Sequence, residues 1–139
     1  PFMISMSDHI YGADLFATVY NASLDGFEAM VGLDFKIDQV YDIDDAMKVT
    51  IDNNNLKQLT AMSKELSNFD AIDCGIFKCN FGFFNVLEQF KINESFSLAD
   101  GCNYLISIGT MGGIDIKDSF WMDIDTPDSL EYFNKNAQV

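Results

Sequence analysis

The chain has 139 residues, of which 48% are hydrophobic and 14% aromatic, so it can bury one core and is not a disordered tract. Twenty-two acidic residues stand against eight basic ones, a formal net charge of -14, and every basic residue is a lysine. That balance excludes nucleic acid as a partner, and any phosphate-bearing ligand needs a divalent cation or one of the few lysines to offset the protein's own field.

Phe2 to Met6 reads as a short apolar strand of the kind covered on both faces, ending in Ser7-Asp8-His9. If the sheet is an open α/β sheet, that acid lies at the edge where ligands bind. Asp14 to Asn21 has the spacing of a helix, and Glu28 to Asp34 is a second strand that also ends in an acid. Between Asp38 and Met62 the residues predict a hairpin. Its strands are Ala46 to Ile51 and Leu56 to Met62, joined through the turn signal Asp52-Asn53-Asn54-Asn55. Lys48 and Lys64 lie beside its strand ends and are the lysines expected to face a ligand.

Phe69 to Lys78 is the next extended segment, and Gly75 in its middle marks a bulge or a close approach by a ligand. Asn80 reads as the cap of an amphipathic helix whose apolar side is Phe81, Phe84, Leu87 and Phe90. A second helix starts after Ser97, where Asp100 completes a capping box, and buries Leu98, Cys102, Leu105 and Ile106. Gly112-Gly113 opens a final hairpin of Ile114 to Ile116 with Phe120 to Ile124. The last helix begins at Pro127 behind the N-cap Thr126. Strands alternating with helices around one inserted hairpin predict a single α/β domain over 1-139, a mixed sheet layered with helices.

Extended backbone puts Trp121, Asp123 and Asp125 on one side of their segment. With Asp8 they make the sharpest chemical constellation: two strand-end carboxylates able to share one Mg²⁺, or two acids that each cap the turn after them. His9 is the one histidine, no nucleophile elbow exists, and Pro127 falls where a calcium loop needs a ligand. Nucleophilic catalysis, zinc and helix-loop-helix calcium sites therefore have no support. Cys74, Cys79 and Cys102 form no paired motif and read as buried, reduced thiols of a cytoplasmic protein. No apolar run reaches the roughly 18 residues of a membrane span.

Five segments occur in one order: Ser7-Asp8-His9, Asp44 to Val49, Asp70 to Phe77, Ser97 to Gly101 and Trp121 to Pro127. That order resembles the sugar-phosphate nucleotidyltransferases, most nearly the inositol-1-phosphate cytidylyltransferase and molybdopterin-guanylyltransferase-like members, from about Phe2 to Leu130. The resemblance implies a Rossmann-like GT-A-type fold and transfer of a nucleotidyl group from an NTP, CTP favoured, to a sugar or polyol phosphate such as inositol 1-phosphate. It implies Mg²⁺ held by Asp8, Asp123 and Asp125, with Lys64 contacting the phosphosugar although Ser63 replaces the usual Gly before it. Asp73, Gly75, Ser97, Asp100 and Gly101 would line the acceptor pocket, with Lys48 and Trp121 beside them.

The family's nucleotide site uses an N-terminal Gly-rich loop with an Arg and a Pro-Lys pair, and this chain, which begins at Pro1, has neither. The expectation is a C-terminal, acceptor- and metal-binding part, inactive alone and associating through the sheet edge so exposed into a homo-oligomer. The alternative is a non-catalytic module that binds a phosphosugar or a partner protein.

Overall fold

The structure is a computed structural model, and it describes residues 1–91 and 95–136. Its centre is one long strand. In chain order the elements are β1 (Phe2–Ser5), β2 (His9–Tyr11), α1 (Ala13–Asn21), β3 (Ala29–Asp34), β4 (Lys48–Ile51), β5 (Leu59–Ser63) and β6 (Ala71–Cys79). They continue with α2 (Gly82–Gln89), α3 (Leu98–Ser107), β7 (Met111–Asp115), β8 (Trp121–Asp123) and α4 (Pro127–Asn136). A single 3₁₀ turn, Ile37–Gln39, follows β3.

The main sheet runs β5-β4-β6-β3-β7, with β1 also paired to β6. On one side β6 meets β3 antiparallel along most of its length. On the other it meets two strands in succession: β4 through Lys48↔Ile72 and Val49↔Ala71, then β1 through Ser5↔Ile76 to Phe2↔Cys79. β1 and β4 thus share one edge of β6 and part at Asp73–Gly75. There the pairing of β3 with β6 jumps from Val31↔Phe77 to Leu33↔Asp73, two residues against four. This is the bulge that Gly75 announced, and its φ of +70° is a conformation that glycine adopts without strain.

Side-chain alternation divides the core in two. Val31, Leu33 and Phe77 face a cluster closed by Phe83, Cys102 and Leu105 of α2 and α3, while Met30, Cys74 and Ile76 face Leu15 and Val19 of α1. Each such large side chain, fully withdrawn from water, contributes about 1.5–3 kcal/mol.

Three expectations are corrected, and one strand is new. β1 is half-buried and pairs antiparallel beside β6 rather than lying inside a sheet covered on both faces. Gly112-Gly113 belongs to β7, which pairs parallel with β3, and β8 pairs instead with β2, so the final hairpin does not form. The three-residue β2 was not foreseen. In α2 the helix starts after Phe81, and Phe83 and Val86 turn inward. Phe81 and Phe84 are exposed and gather with Phe2, whose ring stacks on Phe84 at 4.5 Å. The hairpin of β4 with β5, the bulge, the complete Ser97–Asp100 capping box and the start of α4 are as predicted.

Candidate cation and acceptor site

The site begins with the small ribbon that the main sheet does not contain. β2 and β8 pair antiparallel with His9 opposite Asp123 and Tyr11 opposite Trp121. The amide of Ile124 donates to the carbonyl of Asp8 at 2.8 Å, which extends the ribbon by one step. Asp8 and Asp123 therefore meet through this ribbon, not by sharing an edge of one open sheet. α4 anchors the far side. Thr126 and Ser129 cap it reciprocally, the Ser129 amide donating to Thr126 Oγ1 at 3.0 Å and the Thr126 amide to Ser129 Oγ at 3.1 Å.

One oxygen of Asp8, one nitrogen of His9 and one oxygen of Asp123 all lie within 4.8 Å of one another. His9 Nδ1 is 3.0 Å from Asp8 Oδ1 and 3.8 Å from Asp123 Oδ1. The shorter contact is a hydrogen bond, and since a carboxylate only accepts, it places the proton on Nδ1. Asp123 Oδ1 is buried and has no hydrogen-bond partner among the described residues. Desolvation first, then the charges of Asp125, Asp8 and Asp45, push the Asp123 carboxyl above its ordinary range, against the pull of His9. A buried carboxylate oxygen without a donor, with two further acids nearby, is the setting that a hard divalent cation relieves. The donor set fits Mg²⁺, which takes one or two carboxylates and fills its other positions with water and phosphate oxygens. Asp8 and Asp123 would hold it, with His9 orienting them.

These groups stand at the mouth of a cavity of about 290 Å³ opened where β1 and β4 part on β6. Its polar lining includes Lys64, Asp73 and Asp125, and its apolar lining includes Met47, Met62, Phe77 and Leu98. Trp121 lies over the ring of His9 at 5.7 Å and donates its Nε1 proton to Asp34 Oδ2 at 2.8 Å, which fixes the indole. Tyr11 Oη donates to the Gly75 carbonyl at 2.9 Å, tying the ribbon to the bulge. Burial raises the Tyr11 hydroxyl well above its usual range, so it remains a donor.

The bulge aims Asp73 into this cavity, where the Gly75 amide donates to Oδ1 at 2.6 Å. Desolvation pushes Asp73 up to about 6, against the Gly75 N–H and nearby His9, which lower it. The folded value thus lies above the unfolded one. Stability is greatest where both states are protonated and falls as pH rises from about 4 through 6. Replacing Asp73 by Asn keeps the acceptor for Gly75 and removes the charge. The variant is expected to be more stable than the parent above pH 6 by roughly 1–3 kcal/mol, with the difference vanishing below about pH 4. Urea melts at pH 4 and 7.5 measure this, and a variant that is less stable at pH 7.5 contradicts it.

Of the residues predicted from sequence, Asp8, Lys64, Asp73, Gly75, Trp121, Asp123 and Asp125 all line the cavity. Lys48, Ser97, Asp100 and Gly101 do not. The Lys48 side chain is buried, and its ammonium donates to the carbonyls of Asp44, Ala46 and Lys64 at 3.3, 3.1 and 2.9 Å, stapling the hairpin's base. Ser97 and Asp100 are occupied with each other at the start of α3. The Ser97 amide donates to Asp100 Oδ2 at 2.8 Å, which holds the Asp100 carboxyl below its usual range. Gly101 is buried under Leu87 and Phe83, so α3 offers the cavity Leu98 and Ala99 instead. His9 and Tyr41 were missed. For His9 the signal was present, since a histidine directly after a strand-end acid can orient it.

The three cysteines are buried and free, and burial pushes the Cys79 thiol up to about 12 and the other two thiols higher still, so none is a nucleophile at neutral pH. No helix among the described residues is long and apolar enough to cross a membrane.

No family model matches the sequence. A bifunctional IPC transferase and DIPP synthase of Archaeoglobus fulgidus is 20% identical over 134 residues, which is 96% of this chain and 24% of that protein. The inositol-1-phosphate CTP transferase from T. maritima superposes with a TM-score of 0.77 at 21% identity, over 92% of this chain and 50% of that one. A putative glucose-1-phosphate thymidylyltransferase from Bacillus anthracis, in complex with a sucrose, gives 0.75 at 18% identity, over 96% and 52%. The chain spans about half the length of the solved structures it matches. Over that span its mixed sheet and flanking helices are the Rossmann-like fold of the sugar-phosphate nucleotidyltransferases.

Proposed function

We propose that this chain is the cation- and acceptor-binding part of a nucleotidyltransferase that joins an NTP, CTP favoured, to a phosphorylated acceptor of the sugar or polyol phosphate class. The observation that carries the reading is the convergence of Asp8 and Asp123, with the partnerless Asp123 Oδ1, in the lining of one cavity. A phosphate oxygen of the acceptor attacks the α-phosphorus of the NTP. The new P–O bond forms as the bond to the bridging oxygen breaks, and pyrophosphate leaves with that oxygen. Such a transfer needs no protein nucleophile, and the high-lying thiols offer none. Mg²⁺ on Asp8 and Asp123 would neutralise charge on the transferring group. Lys64, hydrogen-bonded to Asp45 at 2.9 Å, stands at the same mouth as a cation for the acceptor's phosphate.

Pyrophosphate release tests this. The parent protein with CTP, Mg²⁺ and a phosphorylated acceptor is expected to turn over, while the 139 residues alone are expected to show none. Failure of the parent with every NTP would overturn the proposal, and turnover by the isolated chain would overturn its assignment as a part. Self-association belongs to the same reading, because β1 pairs with β6 on one side and its neighbours Phe81 and Phe84 are exposed. Sedimentation at micromolar concentration should show a dimer or larger species, and a monomer counts against it.

A further inference from the structure

β3 ends in an acid that the cation and acceptor site leaves unused. Asp34 is 4% exposed and stands outside the lining of that cavity, yet three donors converge on its carboxylate. Oδ1 accepts from the Lys36 amide and from the Lys36 ammonium, each at 2.8 Å, and Oδ2 accepts from Trp121 Nε1 at 2.8 Å. The same ammonium donates to the Lys117 carbonyl at 2.5 Å, in the turn between β7 and β8. A buried carboxylate with both oxygens taken by such donors is a fixed point. This one belongs to the main sheet, while its indole donor belongs to the β2–β8 ribbon.

The indole in turn confines His9. Its ring lies over the imidazole at 5.7 Å between centroids with the planes 24° apart, an offset stack. The edge of the imidazole is set by Gly75, where an added Cβ would come within 2.9 Å of Nε2 and 3.0 Å of Cδ2. Held by face and by edge, His9 keeps Nδ1 at 3.0 Å from Asp8 Oδ1 and at 3.8 Å from Asp123 Oδ1. The contacts form one unbroken series from Asp34 through Trp121 and His9 to the two acids. Resting on the proposed function, we infer that Asp34 is a positioning residue of the cation site: it holds the indole N–H, and with it the ring against which His9 aligns Asp8 and Asp123.

Asp34→Asn tests this, because an amide offers one acceptor where the carboxylate offered two. Its oxygen goes to the two Lys36 donors, and its NH₂ then meets the indole N–H donor to donor. The indole is expected to swing away, and since Trp121 is the only tryptophan, near-ultraviolet circular dichroism reads that loss of fixed geometry. Mn²⁺ affinity, read by electron paramagnetic resonance, is expected to fall roughly fivefold, less than the about 10–100-fold cost of partners directly behind a ligand, because further contacts intervene. Trp121→Phe breaks the same hydrogen bond from the other side and should lose a similar factor. The double variant should bind Mn²⁺ no more weakly than the worse single one, since both changes break one series of contacts. A role for Asp34 in stability alone has the opposite signature. Wild-type Mn²⁺ affinity in Asp34→Asn, or losses that multiply in the double variant, overturns the inference. Retained affinity in Trp121→Phe does the same, so the test stands even where Asp34→Asn does not fold. A wild-type chain that binds no Mn²⁺ sinks the cation reading and this inference together, whereas Mn²⁺ bound equally by wild type and Asp34→Asn sinks the inference alone.

Discussion

Asp123→Asn is expected to abolish divalent-cation binding at the mouth of the cavity, lowering Mn²⁺ affinity by roughly 100-fold or more, since even partners behind the ligands cost 10–100-fold when removed. The reasoning rests on one atom. Asp123 Oδ1 is buried without a hydrogen-bond partner among the described residues, and the Asp123 carboxyl is held above its ordinary range by desolvation and by neighbouring acids. Among the described residues only His9 Nδ1, at 3.8 Å, partly offsets that oxygen, and a divalent cation is its proposed partner. The substitution removes the charge and leaves the shape, so the fold is expected to be unharmed or slightly more stable without metal. Asp8→Asn should weaken the cation similarly, but it also loses the charged acceptor for His9 Nδ1 at 3.0 Å. Mn²⁺ electron paramagnetic resonance reads the bound fraction directly. Wild-type affinity retained in Asp123→Asn would remove the site, whatever the fold resembles.

Gly75→Ala is expected to cost about 2–5 kcal/mol of stability, combining a left-handed backbone forced on alanine with overpacking. The added methyl would sit 2.7 Å from Met6 Cγ and 2.9 Å from His9 Nε2, and φ there is +70°. Both neighbours belong to the site, so relief by movement pushes the His9 ring away from Gly75 and disturbs Asp8 with it. A drop in thermal midpoint of roughly 10 °C should accompany weaker Mn²⁺ binding. Gly26→Ala is the control. It also has positive φ, at +88°, but its methyl meets nothing within 4 Å, so its cost should be confined to backbone strain. Equal losses in the two variants would show that crowding at His9 is unimportant.

The parts of this molecule legible in the sequence are those written over a few neighbouring residues. The capping box of Ser97 and Asp100, the turn after Asp52, the bulge at Gly75 and the helix start at Thr126-Pro127 each need only local chemistry. The pairing of His9-Ile10-Tyr11 with Trp121-Met122-Asp123 does not, because three residues carry no period and the partner lies more than a hundred positions away. β7 was misread for the same reason: its parallel partner β3 leaves no mark beside Gly112. In α2, phenylalanines at 81, 83, 84 and 90 spell two competing stripes, and the one holding Phe83, with Val86, turns inward. Lys48 looked like a ligand contact because a lysine at a strand end usually reaches solvent. Three converging carbonyls hold it inside, and carbonyl convergence is invisible in a string of letters.

Two strands docked on a single edge of β6 have a consequence for how such a protein can change. On the proposed function, the wall facing the acceptor comes from β6 and the β4–β5 hairpin, and the acids proposed to hold the cation come from the β2–β8 ribbon and the residue before it. Among the described residues the Tyr11–Gly75 hydrogen bond, the packing around His9 and the contact of Tyr11 and Trp121 with the cluster of Cys74 and Ile76 join the two. On that reading, substitutions in the hairpin strands that leave Lys64 in place would reshape what is recognised without moving Asp8 and Asp123, so that recognition can drift in one module.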